Sequence, residues 1–408
     1  MATSYNAVAQ SGTQQVIQRA KSVLLQNYKQ QPVALERGQG SWVWDVEGKR
    51  YLDLIGGIAT CGLGHCHPQV TTAALKQMGL LWHVSNGFYT LPQIELAERL
   101  IRASGMDRAF FCNSGAEANE ALIKLARKVQ KDRGHPERFT VISFVNSFHG
   151  RTLATLSATG QAKYQQGFEP LPQGFINIPF GDLGAVESAI DSTTAAILVE
   201  PIQGEGGVRS GPLKFLQGLR ALTLKHGLLL LVDEIQTGIG RTGKMFAFQH
   251  EAISPDAISM AKALGNGLPI GAMACTEEVG ASLGPGTHGS TFGGNPVACA
   301  AANAVVSIVD SPAFLTSVQE KGEFFRQGLR VLQAEHPSKI VTVRGQGLLV
   351  GLEMTGDVSG PIGLARDEGL LVNAAGEKTV RFAPPLNISY NELEEGLALL
   401  GRALRRVA

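Results

Sequence analysis

Asp233 and Lys262 each occupy a setting unusual for a charged side chain. Asp233 closes the run His226-Gly-Leu-Leu-Leu-Leu-Val-Asp233. Four leucines and a valine followed by an acid read as a strand buried on both faces, with the carboxylate at its carboxyl end. That is where open parallel sheets present their ligand chemistry. Lys262 lies in Ser259-Met-Ala-Lys-Ala-Leu-Gly265, a stretch of small and apolar residues where a solvated lysine is out of place. An amine held near a buried carboxylate is what pyridoxal 5'-phosphate (PLP) requires: the lysine bonds the cofactor, and the acid keeps a proton on its ring nitrogen. A buried ion pair of purely structural use is equally compatible with these two residues alone.

Two loops could hold the phosphate of such a cofactor. Asn113-Ser-Gly-Ala-Glu-Ala-Asn119 follows an apolar run ending in Cys112 and opens a helical pattern. Its small residues let backbone amides approach an anion, and the helix dipole adds favourable potential. Ser114 there also serves as an N-cap. A second loop, Gly284 to Pro296, is rich in glycine, serine and threonine and also leads into a helix. Gly238-Ile-Gly-Arg-Thr-Gly243 imitates a dinucleotide loop, and with Lys244 a P-loop. Met245 stands where a P-loop needs a hydroxyl, however, and no helix follows, so neither nucleotide function is expected. Cys61, His65, Cys66 and His67 crowd together without a second pair at zinc spacing. A glycine-rich turn ahead of a helix is expected there, and no metal site.

Several elements must position these groups. Alternation assigns strands to 109–112, 140–144, 175–178, 195–199, 228–232, 257–259 and 272–275. It assigns helices to 92–103, 115–130, 183–190, 213–225 and 296–309. This predicts an α/β fold with a mainly parallel, seven-stranded sheet covered on both faces. A helix at 12–26 and a hairpin turning at Asp45 to Gly48 precede it. A long helix at 312–335, strands at 339–344, 348–353, 370–373 and 380–382, and a helix at 389–407 follow. The expected organisation is an N-terminal segment (1–67), a large cofactor-binding domain (68–334) and a smaller α+β unit (335–408), the small domain drawing on both termini.

The 408 residues are 44% hydrophobic and 17% charged, and 36 basic residues against 35 acidic leave a net charge of +1. No basic field favours nucleic acid or a membrane surface. The first residues lack the basic and apolar regions of a secretory signal. Five scattered cysteines argue for a reducing, cytoplasmic setting rather than a disulfide framework.

With these elements assembled, the chain closely resembles the class III (omega-) aminotransferases of PLP fold type I, from about Tyr28 to Arg405. The resemblance rests on Leu63-Gly-His-Cys-His-Pro68, Trp82-His-Val-Ser-Asn86, Asn113 to Glu120, Phe148-His-Gly-Arg-Thr152, Val199 to Gly207, Asp233-Glu-Ile-Gln236, Ala261 to Gly265 and His288 to Pro296. It implies that Lys262 carries the cofactor and moves the substrate proton, while Asp233 pairs with the ring nitrogen. Gln236 reaches the ring's 3-oxygen, Phe148 stacks on the ring, and Glu234 belongs to the same cofactor-binding motif. Ser114, Gly115 and Ala116 would hold the phosphate. Thr291 would complete that site from a second subunit, which implies a homodimer with shared active sites.

On the substrate side, Arg151 resembles the arginine for the carboxylate remote from the reacting carbon, and Arg381 the one for glutamate's α-carboxylate. Glu205 resembles the carboxylate that covers Arg381 until glutamate arrives. Tyr28, Asn86 and Ser290 complete the substrate candidates. Tyr28 and Phe88-Tyr89 also resemble an ornithine-specific branch, whereas Ser85-Asn86 and Glu205-Gly-Gly207 favour the branch acting on N2-acetyl-L-ornithine. The expected reaction carries that substrate's δ-amine to 2-oxoglutarate. Ornithine, succinylornithine and N-succinyl-diaminopimelate are alternative donors, and PLP-dependent aminomutase chemistry is an alternative class.

Overall fold

The structure, a computed structural model, describes residues 12–407; residues 1–6, on which the expectation of no secretory signal falls, lie outside them. Seven strands form the central sheet in the spatial order Arg108–Cys112, Gly271–Cys275, Ala257–Met260, Leu229–Asp233, Thr194–Val199, Thr140–Phe144, Phe175–Ile178. Gly271–Cys275 runs antiparallel to both neighbours, and every other pairing is parallel. Every residue of Leu229–Asp233 and Thr194–Val199 is buried. Burial on both faces is why these strands are continuous apolar runs rather than alternating ones.

The helix Gly115–Asp132 packs on the sheet through Ala118, Ala121, Leu122, Leu125, Ala126 and Val129, all buried. Their spacing of three and four gives one apolar stripe. Its start is fixed by Ser114, whose Oγ accepts the Glu117 amide at 3.2 Å. Pro296–Val309, too short to span a bilayer, packs against Pro68–Met78 and Leu91–Ser104. Among the described residues no single helix is long and apolar enough to cross a membrane.

Both ends of the chain contribute smaller sheets. Leu35–Gln39, Trp42–Asp45 and Arg50–Asp53 form an antiparallel set that Leu370–Leu371 joins in parallel. Asp45 closes the expected hairpin turn by accepting the Glu47 and Lys49 amides at 3.0 and 2.9 Å. Ile340–Gln346, Leu349–Met354, Thr379–Phe382 and Asn373–Ala375 form the other sheet. The single strand expected at 370–373 is therefore two. Leu370 pairs with Leu52, whereas Asn373 pairs with Arg381, and the chain changes sheets at the buried Val372. The first helix is shorter than expected, Thr13–Val23, and has no buried residue.

The five cysteines are free. At the Cys/His cluster a turn leads into the helix Pro68–Met78, with proline in its first turn. His65 instead bonds Asp53 at 2.8 Å. That bond, a second one with Cys61 and their charges outweigh burial and push its pKa up to about 10. The nucleotide-like motif forms a buried turn: the Arg241 guanidinium is 1% exposed and donates to the carbonyls of Leu348 and Pro384.

Candidate active site

The carboxyl ends of the central strands open on a cavity of about 390 Å³. Asp233 forms part of its wall and is 3% exposed. Its Oδ2 accepts from Asn119 Nδ2 at 2.7 Å and bonds His149 Nδ1 at 2.8 Å, and its Oδ1 accepts the Ile235 amide at 3.0 Å. Asn119 is itself oriented by Ser259, which donates to its Oδ1 at 2.7 Å. Three elements thus fix one carboxylate, as an acid that must hold a definite direction requires.

Lys262 also lines the cavity and stands at φ 44°, in the left-handed region that few non-glycine residues adopt. Such a conformation costs about 1 kcal/mol and marks a position where side-chain direction matters. Burial depresses its amine below the ordinary lysine range, and Arg381 adds to this while Glu205 and Asp233 oppose it. Glu200, beyond the end of Thr194–Val199, accepts the Phe148 and Gly204 amides at 3.0 and 3.2 Å. Burial pushes its carboxyl up to about 7, His149 opposing and Asp233 adding.

Ser114, Gly115 and Ala116 bring the amino end of the helix Gly115–Asp132 to the cavity wall. A Cβ on Gly115 would sit 2.8 Å from Ile235 Cδ1, so the backbone reaches the cavity only because that side chain is absent. Phe148 and Arg151 face the same space. The Arg151 guanidinium lies 3.8 Å from the Tyr164 ring centre and 5.5 Å from that of Phe148. An exposed cation stacked this way keeps its fork free for a carboxylate.

Gln236 connects the cavity to a second charged group. Arg381, 1% exposed, donates through Nη1 to Glu205 Oε1 at 2.5 Å and to Gln236 Oε1 at 3.0 Å. Its Nη2 is buried with no partner among the described residues. Burial pushes the Glu205 carboxyl up, but the charges of Arg381 and Lys262 and its hydrogen bonds outweigh that. The net pKa lies below the ordinary glutamate range, so Glu205 is held ionised.

The expected residues divide by position. Ser114, Gly115, Ala116, Phe148, Arg151, Asp233, Gln236 and Lys262 surround one cavity, and Glu205 and Arg381 join through Gln236. Glu234 does not reach the cavity. Adjacent strand residues face opposite ways, and its carboxylate accepts from Thr237 Oγ1 and the Phe248 amide in the core. The Asn86 amide is committed to its own fold, donating to the carbonyls of Ser290 and Gly293 and accepting from Gln93. Ser290 Oγ is one bond from the cavity, accepting from Asn113 Nδ2 at 3.2 Å. Thr291 and Tyr28 are solvent-exposed on this chain and away from its cavity. His149, Glu200 and the oriented Asn119 join the site without an expected role. Their only sequence signals were neighbours, namely Phe148, the end of a buried strand, and the Gly115 helix.

The cavity fits PLP by its donors: amides at a helix amino end for a phosphate, an oriented buried carboxylate, a buried amine and an aromatic wall. The family model for class III aminotransferases matches residues 24–404. The chain is 66% identical over 392 residues to an acetylornithine aminotransferase of Myxococcus xanthus, covering 96% of this chain and 98% of that one. It is 45% identical to a succinylornithine transaminase of Yersinia enterocolitica, covering 91% and 92%. Among solved structures, it is similar to an N-acetylornithine aminotransferase from Stenotrophomonas maltophilia (TM-score 0.82, 38% identity, 95% and 98% covered). It is also similar to the ornithine aminotransferase of Toxoplasma gondii (TM-score 0.95, 33% identity, 99% and 96% covered), described with partial occupancy of PLP at its active site. Site geometry and nearly full-length similarity agree: this chain belongs to the class III aminotransferases.

Proposed function

We propose that the chain is a cytoplasmic, PLP-dependent aminotransferase moving the δ-amine of N2-acetyl-L-ornithine to 2-oxoglutarate. The products are N-acetylglutamate 5-semialdehyde and glutamate, a step of arginine biosynthesis. The observation that carries two-substrate transamination is the buried Arg381 covered by Glu205 at 2.5 Å. A donor whose amine is far from its α-carboxylate gains nothing from a naked cation beside the reacting carbon. Glutamate needs that cation. A displaceable carboxylate serves both: Glu205 engages Nη1 alone, and the planar fork, with Nη2 unpartnered among the described residues, suits a bidentate carboxylate in its place.

PLP, when bound, supplies a conjugated ring whose protonated nitrogen draws electrons from the substrate carbon. In this reading Asp233 keeps that proton in place, its own charge directed by Asn119 and His149. Lys262, whose amine burial holds below the ordinary lysine range, is the group that would move the proton at the reacting carbon. Ser114 and the Gly115 and Ala116 amides would hold the phosphate, Phe148 would cover the ring, and Gln236 would serve the ring's 3-oxygen, all of them lining the one cavity. Arg151 takes the donor's carboxylate and Arg381 that of glutamate. The M. xanthus relative supports the acetylated donor.

A homodimer is part of the proposal. Thr291 lies outside its own cavity, in a segment tied to the Asn86 loop by two hydrogen bonds and the His83–Phe292 contact. That surface exposes Trp82, Phe88, Tyr89 and Phe292, a patch that a second copy would cover. Residues 68–334 are proposed as the large cofactor-binding domain and 335–408 as the small domain, to which the N-terminal segment 1–67 contributes through the strand Arg50–Asp53 paired with Leu370–Leu371.

The test is isotope transfer. N2-acetylornithine labelled with ¹⁵N at the δ-position, incubated with holoenzyme and 2-oxoglutarate, should yield ¹⁵N-glutamate. Unlabelled glutamate, or none, would refute the proposal.

A further inference from the structure

Glu205 lines not the first cavity but a second one of about 870 Å³. Setting Glu205 aside, four cations line this space, Lys163, Arg209, Arg344 and Lys378, against two acids, Glu353 and Glu377. Glu353 lies between two guanidiniums, Arg209 at 3.1 Å and Arg344. The trio carries one carboxylate for two cations and has a positive charge to spare. Arg344 is fully engaged, donating also to the Gly207 carbonyl at 2.7 Å and Thr379 Oγ1 at 2.9 Å. Among the described residues, Arg209 has one recorded side-chain partner, Glu353.

Chain geometry places Arg209 on the same cavity wall as Glu205. Ile202–Gln203 and Arg209–Ser210 are the two arms of a small antiparallel hairpin, and Glu205 lies in the loop between them. The loop backbone is wedged: a Cβ on Gly206 would meet the Asn146 carbonyl at 2.6 Å. Glu205 therefore changes position by side-chain rotation, without backbone movement. We propose that the second cavity is the receiving site for the displaced Glu205 carboxylate and that Arg209 is the residue that draws it there. Arg209 is then a positioning residue that selects for glutamate and 2-oxoglutarate without touching either. This rests on the reading of Arg381 as the seat of glutamate's α-carboxylate.

The experiment follows the two half-reactions of the holoenzyme separately through the bound cofactor's absorbance, with N2-acetylornithine or with glutamate. Arg209→Gln is expected to raise the glutamate concentration for half-maximal rate roughly threefold to fivefold, the size of one part-exposed charge interaction. The N2-acetylornithine value should stay within about twofold, and Arg209→Lys should restore the glutamate value because charge, not the fork, is what is used. Lys378→Gln, on another part of the lining, should act in the same direction and more weakly. Equal shifts in both half-reactions would mean general steering of anions and would overturn the proposal, as would no shift in either variant. A parent enzyme that fails with glutamate would overturn the reading of Arg381 along with it.

Discussion

Replacing Glu205 by glutamine leaves shape almost unchanged and removes the one carboxylate on Arg381. The Arg381 side chain is 1% exposed and that of Glu205 22%, with 2.5 Å between Nη1 and Oε1. Stripping a partner from a buried ion pair costs about 3–5 kcal/mol. Because Glu205 is partly solvated and Gln236 still accepts from Nη1 at 3.0 Å, about 2 kcal/mol is the reasonable share. Glutamate no longer has a carboxylate to displace, while N2-acetylornithine meets an uncovered cation. The ratio of kcat/KM for glutamate over that for N2-acetylornithine should therefore rise about 30-fold, since each 1.4 kcal/mol is a factor of ten. Single-turnover half-reactions, one per substrate, measure this ratio directly. A second consequence has a fixed sign. Glu205 raises the Lys262 pKa, so its loss should move the Lys262-dependent limb of the pH profile to lower pH. A ratio unchanged within about threefold, smaller than 1 kcal/mol, would show that Glu205 does not cover Arg381 in any sense that matters to the reaction.

Lys262→Ala should remove both the bound cofactor's characteristic absorbance and turnover, and retained turnover would overturn the assigned mechanism. Gly115→Ala puts a methyl 2.8 Å from Ile235 Cδ1, so the PLP dissociation constant, read by absorbance titration, should rise about tenfold, within the 1–3 kcal/mol cost of overpacking. Burial pushes Glu234 up to about 7 from 4.5. The folded chain then holds a proton that the unfolded chain releases, and stability falls as pH rises through that interval. Relative to Glu234→Gln, the parent should lose about 3 kcal/mol between pH 4.5 and 8, seen as a drop in its denaturant midpoint against the variant's. Asp53→Asn should destabilise most below pH 6.5, and the part of that loss owed to the raised His65 pKa should fade as pH rises through about 10.

The central sheet was legible because its five inner strands, buried throughout, are written as small or apolar runs, while the edge strands Arg108–Cys112 and Phe175–Ile178, though partly exposed, keep aromatic and branched residues that read as strand. The break at Val372 was not, because Leu370-Leu-Val-Asn373 reads as one run while its halves pair with different partners. The helix Pro68–Met78 was expected after the Cys/His turn, but its length was not legible. Its apolar stripe is thin, with only Val70 and Ala74 buried, and neighbouring helices rather than its own pattern hold it. Of the site, Asp233 and Lys262 stood out because each contradicted its surroundings. Glu234 misled because a motif shows adjacency but not the alternation that turns one acid to the cavity and the next to the core. The parts that align Asp233, Asn119 and His149, come from separate elements and converge only in three dimensions. Pairing Glu205 with Arg381 across 176 positions needed the family resemblance; no local pattern joins them.

Initial rates with saturating 2-oxoglutarate, taken across N2-acetylornithine, ornithine, succinylornithine, N-succinyl-diaminopimelate and 4-aminobutyrate, test the central claim most directly. The account predicts that N2-acetylornithine has the highest kcat/KM and that free ornithine lies well below it. Ornithine preferred over the acetylated form by an order of magnitude in kcat/KM would contradict it.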